Sequence, residues 1–321
     1  MIELGLSSMA IKQAVYRVEV DWAPAYELLV SLKAYVSRPE QKILELGAGW
    51  ARGVRQQLQP ELAADLASAD VLPDVHVPDL LVRQCPGERD VAGYLHWLGA
   101  LSVGELYERL APYALEGRAP LPRDLGAVRD RYVRLLEAWD EQYFRLVDPA
   151  ILSGLAADAA AKRALVGAMA PDALVEAATC GVHYMSQPGP ELVLLVPQYH
   201  FRPWNVFQDY RGLRVIQYPA DALPAVPGEP LPGLLRLTRA LSDESRLRIL
   251  RFLATGPHTF TDVVQFMDLA KSTVHYHMVV LRAAGLVRVH DSGEKATTSY
   301  SLRPGVADQL RDTLRAYLSQ E

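Results

Sequence analysis

Apolar residues along this chain follow two different periods, and the switches between them predict its elements. Continuous or alternating apolar runs mark strands at about 11–20, 181–186, 191–197 and 213–218. Between the first strand and the second, helical spacing takes over. It predicts helices at roughly 23–36, 40–58 and 88–112, the last with breaks. A long amphipathic helix is predicted from about 125 to 147, where Val128, Tyr132, Leu135, Leu136, Trp139 and Phe144 recur on one face. Ala-rich helices continue to about Cys180, and turns such as "QPGPE" and "DYRG" separate the later strands. The pattern predicts an α+β N-terminal domain, helices plus a small sheet that takes in the first strand, over residues 1–218.

The stretch 219–232, "PADALPAVPGEPLP", interrupts this pattern. Its prolines remove backbone donors and push their predecessors toward extended geometry, so it reads as a stiff linker. A second domain is predicted over 233–321. Helices are expected at about 233–241, 243–254, 260–267 and 271–283, strands at about 286–290 and 297–302, and a last helix over 306–318. Short helices, a two-stranded hairpin and a final helix are the order of a winged helix-turn-helix.

Within that domain, Asp243 is placed to cap a helix whose buried face carries Leu247, Leu250 and Phe252 or Leu253, with Gly256 as its stop. Val263, Val264 and Met267 bury the next, short helix. The helix after it carries Lys271, Ser272, Thr273, His275 and Tyr276 near its start, while Val274, Met278 and Leu281 repeat at i, i+4, i+7 on its inner face. Polar groups thus gather where a recognition helix meets the major groove, and the first amides of such a helix suit a phosphate. His275 is expected to face DNA, and His277 to be a structural histidine. In the hairpin, Val287 and Val289 alternate with Arg288 and His290, and "DSGEK" turns the chain. Arg288, His290, Lys295 and Thr297 are the wing residues expected to touch the DNA backbone or the neighbouring minor groove.

Taken together, "LSDESRLRILRFLATG … STVHYHMVVLRAAGLVRVHDSGEKATTSYSL" resembles the ArsR (arsenic-repressor-like) family of bacterial regulators. The likeness rests on a D-x-x-R-x-x-I-L helix, an S-T-V-x-x-H recognition segment running into A-G-L-V, and a Tyr-Ser-Leu strand, over about 234–303. It implies a homodimer that binds double-stranded operator DNA and usually represses. It also implies that Leu234, Leu237 and Leu241 of the first helix, with Val306, Leu310, Leu314 and Tyr317 of the last, pair across a two-fold axis. Many family members sense metal through cysteines on the helix before recognition or an Asp/His/Glu set on the last helix. Here "FTDVVQFMD" has no cysteine and the last helix no histidine, so no metal is expected at those places.

Charge sharpens the division. The chain as a whole carries a net −5, but residues 232–321 carry twelve Lys/Arg against nine Asp/Glu, a net +3, leaving −8 for the rest. That sign suits a DNA-reading module joined to an acidic partner domain. Two cysteines, Cys85 and Cys180, make neither a disulfide framework nor a zinc cluster. No apolar run approaches the ~18 residues that span a bilayer, so no membrane partner and a cytoplasmic location are expected.

Chemistry in the N-terminal domain is harder to find. "ILELGAGWA" at 43–51 looks like the glycine-rich first motif of S-adenosylmethionine-dependent methyltransferases, but no buried strand follows to place an acid about 20 residues on. A methyltransferase, or another small-molecule-binding domain fused to a winged-helix interaction module, is therefore the alternative and not the leading reading. Cys180, His183 and Tyr184 in "CGVHYM", with Tyr199, His200 and Trp204 in "QYHFRPWN", are candidates for the pocket of an unknown small-molecule effector. No nucleophile elbow, P-loop or HExxH pattern occurs. No enzyme activity and no cofactor are expected.

Overall fold

The computed structural model describes residues 16–67, 78–115, 121–184, 190–221, 228–291 and 298–319. In chain order, β1 (Arg17–Val20) leads into α1 (Pro24–Val36), α2 (Gly47–Gln57), α3 (Pro60–Asp65), α4 (Pro78–Gln84), α5 (Val91–Ala100) and α6 (Val103–Leu110). Next come α7 (Leu125–Gln142), α8 (Pro149–Ala164) and α9 (Pro171–Ala178), then β2 (Val182–Tyr184), β3 (Leu192–Gln198), β4 (Val206–Tyr210) and β5 (Leu213–Pro219). The expected small sheet exists and includes the first strand, in the order β1-β3-β5-β4. β1, β3 and β5 run parallel, with Leu192 opposite Arg17 on one side and Leu213 on the other, while β4 returns antiparallel along β5.

The central strands are buried on both faces, which is why "LVLLVPQ" is a continuous apolar run instead of an alternating one. Leu192, Leu194 and Val196 enter one core with the helices α1 to α7. Val193 and Leu195 point the other way, into a second core with Ile151 and Leu155 of α8 and Leu174 and Val175 of α9. Helices thus cover both faces of the sheet. α1 is the helix at the centre of the first layer. Ala25, Tyr26, Leu28, Leu29, Val30 and Leu32 bury nearly its whole circumference. Its buried Ser31 is satisfied by donating to Leu28 O and accepting from Trp139 Nε1 at 3.0 Å.

The glycine-rich segment at 43–51 forms no strand: a turn leads to Gly47, at φ +68°, where α2 begins. The strand that a methyltransferase motif places before its glycines is replaced by a 3₁₀ turn over Glu40–Lys42.

After the linker come α10 (Pro232–Leu241), α11 (Glu244–Leu253), β6 (His258–Thr259), α12 (Phe260–Met267), α13 (Lys271–Ala283), β7 (Val287–Asp291), β8 (Ser299–Leu302) and α14 (Val306–Leu318). Leu237, Ile249, Leu250, Leu253, Val263, Met267, Val274, Met278, Leu281 and Leu286 form their core. On α11 Leu250 and Leu253 are buried as expected, and the face differs at one position. Leu247 is 48% exposed, and Ile249 takes its place inside.

The D-x-x-R sequence has a local cause. Asp243 caps α11 by accepting from Arg246 N at 2.9 Å, and the Arg246 side chain turns back to donate to Ala240 O and Arg239 O, closing the end of α10. One motif therefore fixes the α10–α11 corner.

The wing sheet contains a strand from the other domain. Its order is β2-β7-β8-β6, with β2 parallel to β7 and His183 opposite His290. Gly181, at φ +124°, makes this possible, because a Cβ there would lie 2.6 Å from Val287 O. The two domains are joined through a shared sheet as well as through the linker.

Candidate nucleic-acid interface

α12 and α13 meet at a tight corner. Thr259 and Asp262 form a capping box at the start of α12, and Asp268 ends that helix in the left-handed conformation at φ 51°. The chain then enters α13 through Ala270, whose side chain offers no cap. The first turn of α13 therefore keeps its amide end free of a side-chain acceptor. Val274, Met278 and Leu281 are buried, as their spacing predicts, and His277 is buried beside them. Lys271, Ser272, Thr273, His275 and Tyr276 are all exposed, with Tyr276 57% accessible. A basic, hydroxyl-bearing and aromatic face is thus held outward by a rigid apolar one.

The wing is arranged differently. Arg288 grips Glu176 of α9 with two nitrogens, Nε to Oε1 at 2.9 Å and Nη2 to Oε2 at 2.8 Å. Arg303 Nε lies 3.7 Å from the same carboxylate. Burial opposes ionisation of Glu176, but His183, Arg288 and Arg303 outweigh it and hold its pKa at about 2. His183 Nδ1 is 3.7 Å away, beyond a good hydrogen bond, so the arginines carry most of the effect. His290 meets Ser301 Oγ at 2.8 Å, and its ring centroid is 5.6 Å from that of His183. Burial, with His183 and Arg288 nearby, pushes the His290 pKa below 6.5. This goes against the expected placement of both on DNA: Arg288 is held by Glu176 across the domain joint, and His290 by Ser301 of the neighbouring strand. Lys295 and Thr297 lie outside the described residues.

Further contacts lie along the joint. Arg236 of α10 bridges Glu45 at 2.5 Å and Asp221 at 2.7 Å, and Asp221 also binds Arg202 at 3.0 Å. At the far end of α13, Arg282 sits 5.8 Å from the Trp204 ring. On the wing side, Arg214 of β5 reaches Asp291 at 2.7 Å.

Among the described residues the candidate effector side chains fall into two groups. Cys180, His183 and Tyr184 belong to the β2 joint, where Tyr184 packs on Tyr16 and under Arg214. His200 is buried inside the N-terminal domain. Its Nδ1 is 2.6 Å from Glu27 Oε1 and its Nε2 is 2.7 Å from the Tyr143 hydroxyl, which also accepts from Trp50 Nε1 at 2.8 Å. That chain of partners fits a histidine with its proton on Nδ1. The Glu27 carboxylate also accepts the amides of Tyr199 and His200. Glu27, His200 and Tyr143 thus form a buried hydrogen-bonded network, and Trp204 faces the other domain. Sequence reasoning did not find Glu27, Tyr143 or Glu176, because each meets its partner across a long stretch of chain.

The expected dimer residues also separate. Leu234 and Leu237 are buried within the subunit and are not open to a partner. Leu241, Val306 and Leu310 lie half-buried against the winged-helix core. Leu314 is 40% exposed, Tyr317 is half-buried and the neighbouring Leu318 is exposed.

A family model described as a helix-turn-helix domain matches residues 241–290, from the end of α10 to β7. Residues 241–290 are a helix-turn-helix domain. Among solved structures the chain is similar to HlyU from Vibrio cholerae N16961, at 26% identity over 27% of this chain and 94% of that one, with a TM-score of 0.22. It is also similar to a possible transcriptional regulatory protein, fragment 1–100, from Mycobacterium bovis, at 23% identity over 28% of this chain and 92% of that one, again with a TM-score of 0.22. No curated protein matches the chain. Among the described residues no helix is long and apolar enough to cross a membrane, and no group of three or more His, Cys, Asp or Glu side chains is placed to hold a metal ion.

Proposed function

We propose that the protein is a homodimeric, cytoplasmic regulator of the ArsR type that represses by reading operator DNA through α13, and that it is not an enzyme. The observation carrying this reading is the exposed face of Lys271, Ser272, Thr273, His275 and Tyr276 on a helix whose other face is locked into the core. Lys271 and the uncapped helix start position the phosphate backbone, while His275 and Tyr276 reach toward base edges. Metal at the family's usual places is not its signal, since α12 carries no cysteine and α14 no histidine.

Dimerisation falls to the outer face of α14. That helix buries no residue fully within the subunit and leaves Leu314 and Leu318 exposed. The L314E variant should shift the sedimenting species from dimer toward monomer with an unchanged circular dichroism spectrum. A wild-type chain that sediments as a monomer removes the dimer from the account.

The function is tested by binding to the chain's own upstream DNA over a salt series. Phosphate contacts predict an affinity that falls linearly on a double-logarithmic plot, by ~0.9 in slope per phosphate neutralised. A winged helix that serves instead as a protein-interaction module would show no such dependence on any native upstream DNA.

A further inference from the structure

Away from the helix-turn-helix, a cavity of about 240 Å³ opens between the end of α1, α2 and α3. Its floor is small and apolar, with Ala51 and Leu66 buried beneath it, and Tyr35 lines one wall. Arg38, Arg52 and Arg55 all line the same space. Burial raises the pKa of the Tyr35 hydroxyl, while the charges of Arg55 and Arg38 act to lower it.

Residues 1–231 carry a net −8, and several of its arginines find carboxylates, as Arg89 does on Asp21 and Arg214 on Asp209. Among the described residues, no carboxylate pairs with Arg38, Arg52 or Arg55. Arg38, Arg52 and Arg55 are exposed, so three like charges border one open concavity, an arrangement that an anion would relieve. Guanidinium forks match phosphate and carboxylate oxygens two at a time. The space corresponds to about eight waters at ~30 Å³ each, more room than a bare phosphate needs.

We propose that this cavity binds a small phosphorylated metabolite. Its phosphate is held by Arg38, Arg52 and Arg55, and its body lies against Tyr35 and Ala51. A phosphomonoester carries about −1.5 to −2 charges at neutral pH, which answers three cations better than a single carboxylate does. This site stands whether or not the chain reads operator DNA.

Calorimetric titration of the full chain, without DNA, tests it with four probes: inorganic phosphate, glycerol 3-phosphate, glycerol and succinate. Saturable binding of glycerol 3-phosphate and of inorganic phosphate is expected, with a millimolar or tighter dissociation constant and the ester the tighter of the two; glycerol should give none. The R52Q/R55Q double variant should weaken phosphate binding by about tenfold or more while its circular dichroism spectrum and its affinity for upstream DNA stay as in the wild type. Absence of saturable heat with both phosphates overturns the proposal, as does equal affinity in the double variant. Succinate binding as tightly as glycerol 3-phosphate overturns the phosphate assignment.

Discussion

The recognition helix and the wing look alike in sequence: each offers cationic and imidazole side chains alternating with buried valines or leucines. In the folded chain they diverge. Lys271 and His275 are exposed on α13, His275 edge-on to Phe260, whereas Arg288 and His290 on β7 are turned to α9 and β2. The difference comes from what lies opposite each element. Among the described residues nothing in the N-terminal domain is paired with the start of α13, but β2 completes the wing sheet and brings Glu176 within reach of Arg288. A basic residue on a wing is a DNA contact only if no carboxylate of its own chain has claimed it first.

The strongest way to break this contrast is at Gly181. In G181A the new Cβ meets Val287 O at 2.6 Å, at a φ of +124° that side chains avoid. We expect β2 to leave the wing sheet, with a cost of about 3 kcal/mol. Hydrogen exchange should then rise at Val182–Tyr184 and Val289 while the α13 amides stay protected; unchanged exchange at β2 would show that the close approach is not needed.

E176Q acts on the same joint more gently. It keeps the shape but removes the charge that two arginines share, for about 2 kcal/mol. Limited proteolysis between the domains should accelerate, and wild-type resistance would mean that strand pairing alone holds them.

What the sequence could and could not disclose follows from the range of each interaction. The i, i+4, i+7 spacing of Val274, Met278 and Leu281 is local, so α13, its free face and the inward His277 were legible. The strand "VHY" was legible too, but not its partner, since nothing in three residues says which of two sheets they will join. β4 was passed over because Gln208 and Asp209 break the apolar run; in the fold Gln208 is buried and Asp209 pairs with Arg214. Likewise Leu247 has the right period for α11 and still faces outward, because α11 turns Ile249 toward α13. The expected effector cluster failed for the same reason. Proximity in sequence put Tyr199, His200 and Trp204 together, and Glu27 and the winged helix pulled their side chains in opposite directions.

Acid should loosen the joint in two stages. His290 has a depressed pKa, so the unfolded chain binds its proton more readily; stability is complete above 6.5 and is lost as pH falls through the lower folded value. Glu176, held at about 2, contributes fully above 4.5 and is lost as pH falls toward 2. The first stage amounts to about 1 kcal/mol or less by pH 5.5. It should appear as a fall in interdomain protection that the H290N variant abolishes; a fall of equal size in H290N would place the titration elsewhere.

The most direct test of the contrast compares K271A with R288A in the salt dependence of binding to the chain's own upstream DNA. Loss of a phosphate contact flattens the slope by ~0.9. The predicted result is a flatter slope and weaker binding for K271A, with the wild-type slope kept by R288A. A flattened slope in R288A with an unchanged one in K271A would contradict the account, placing the wing on DNA and taking α13 off it.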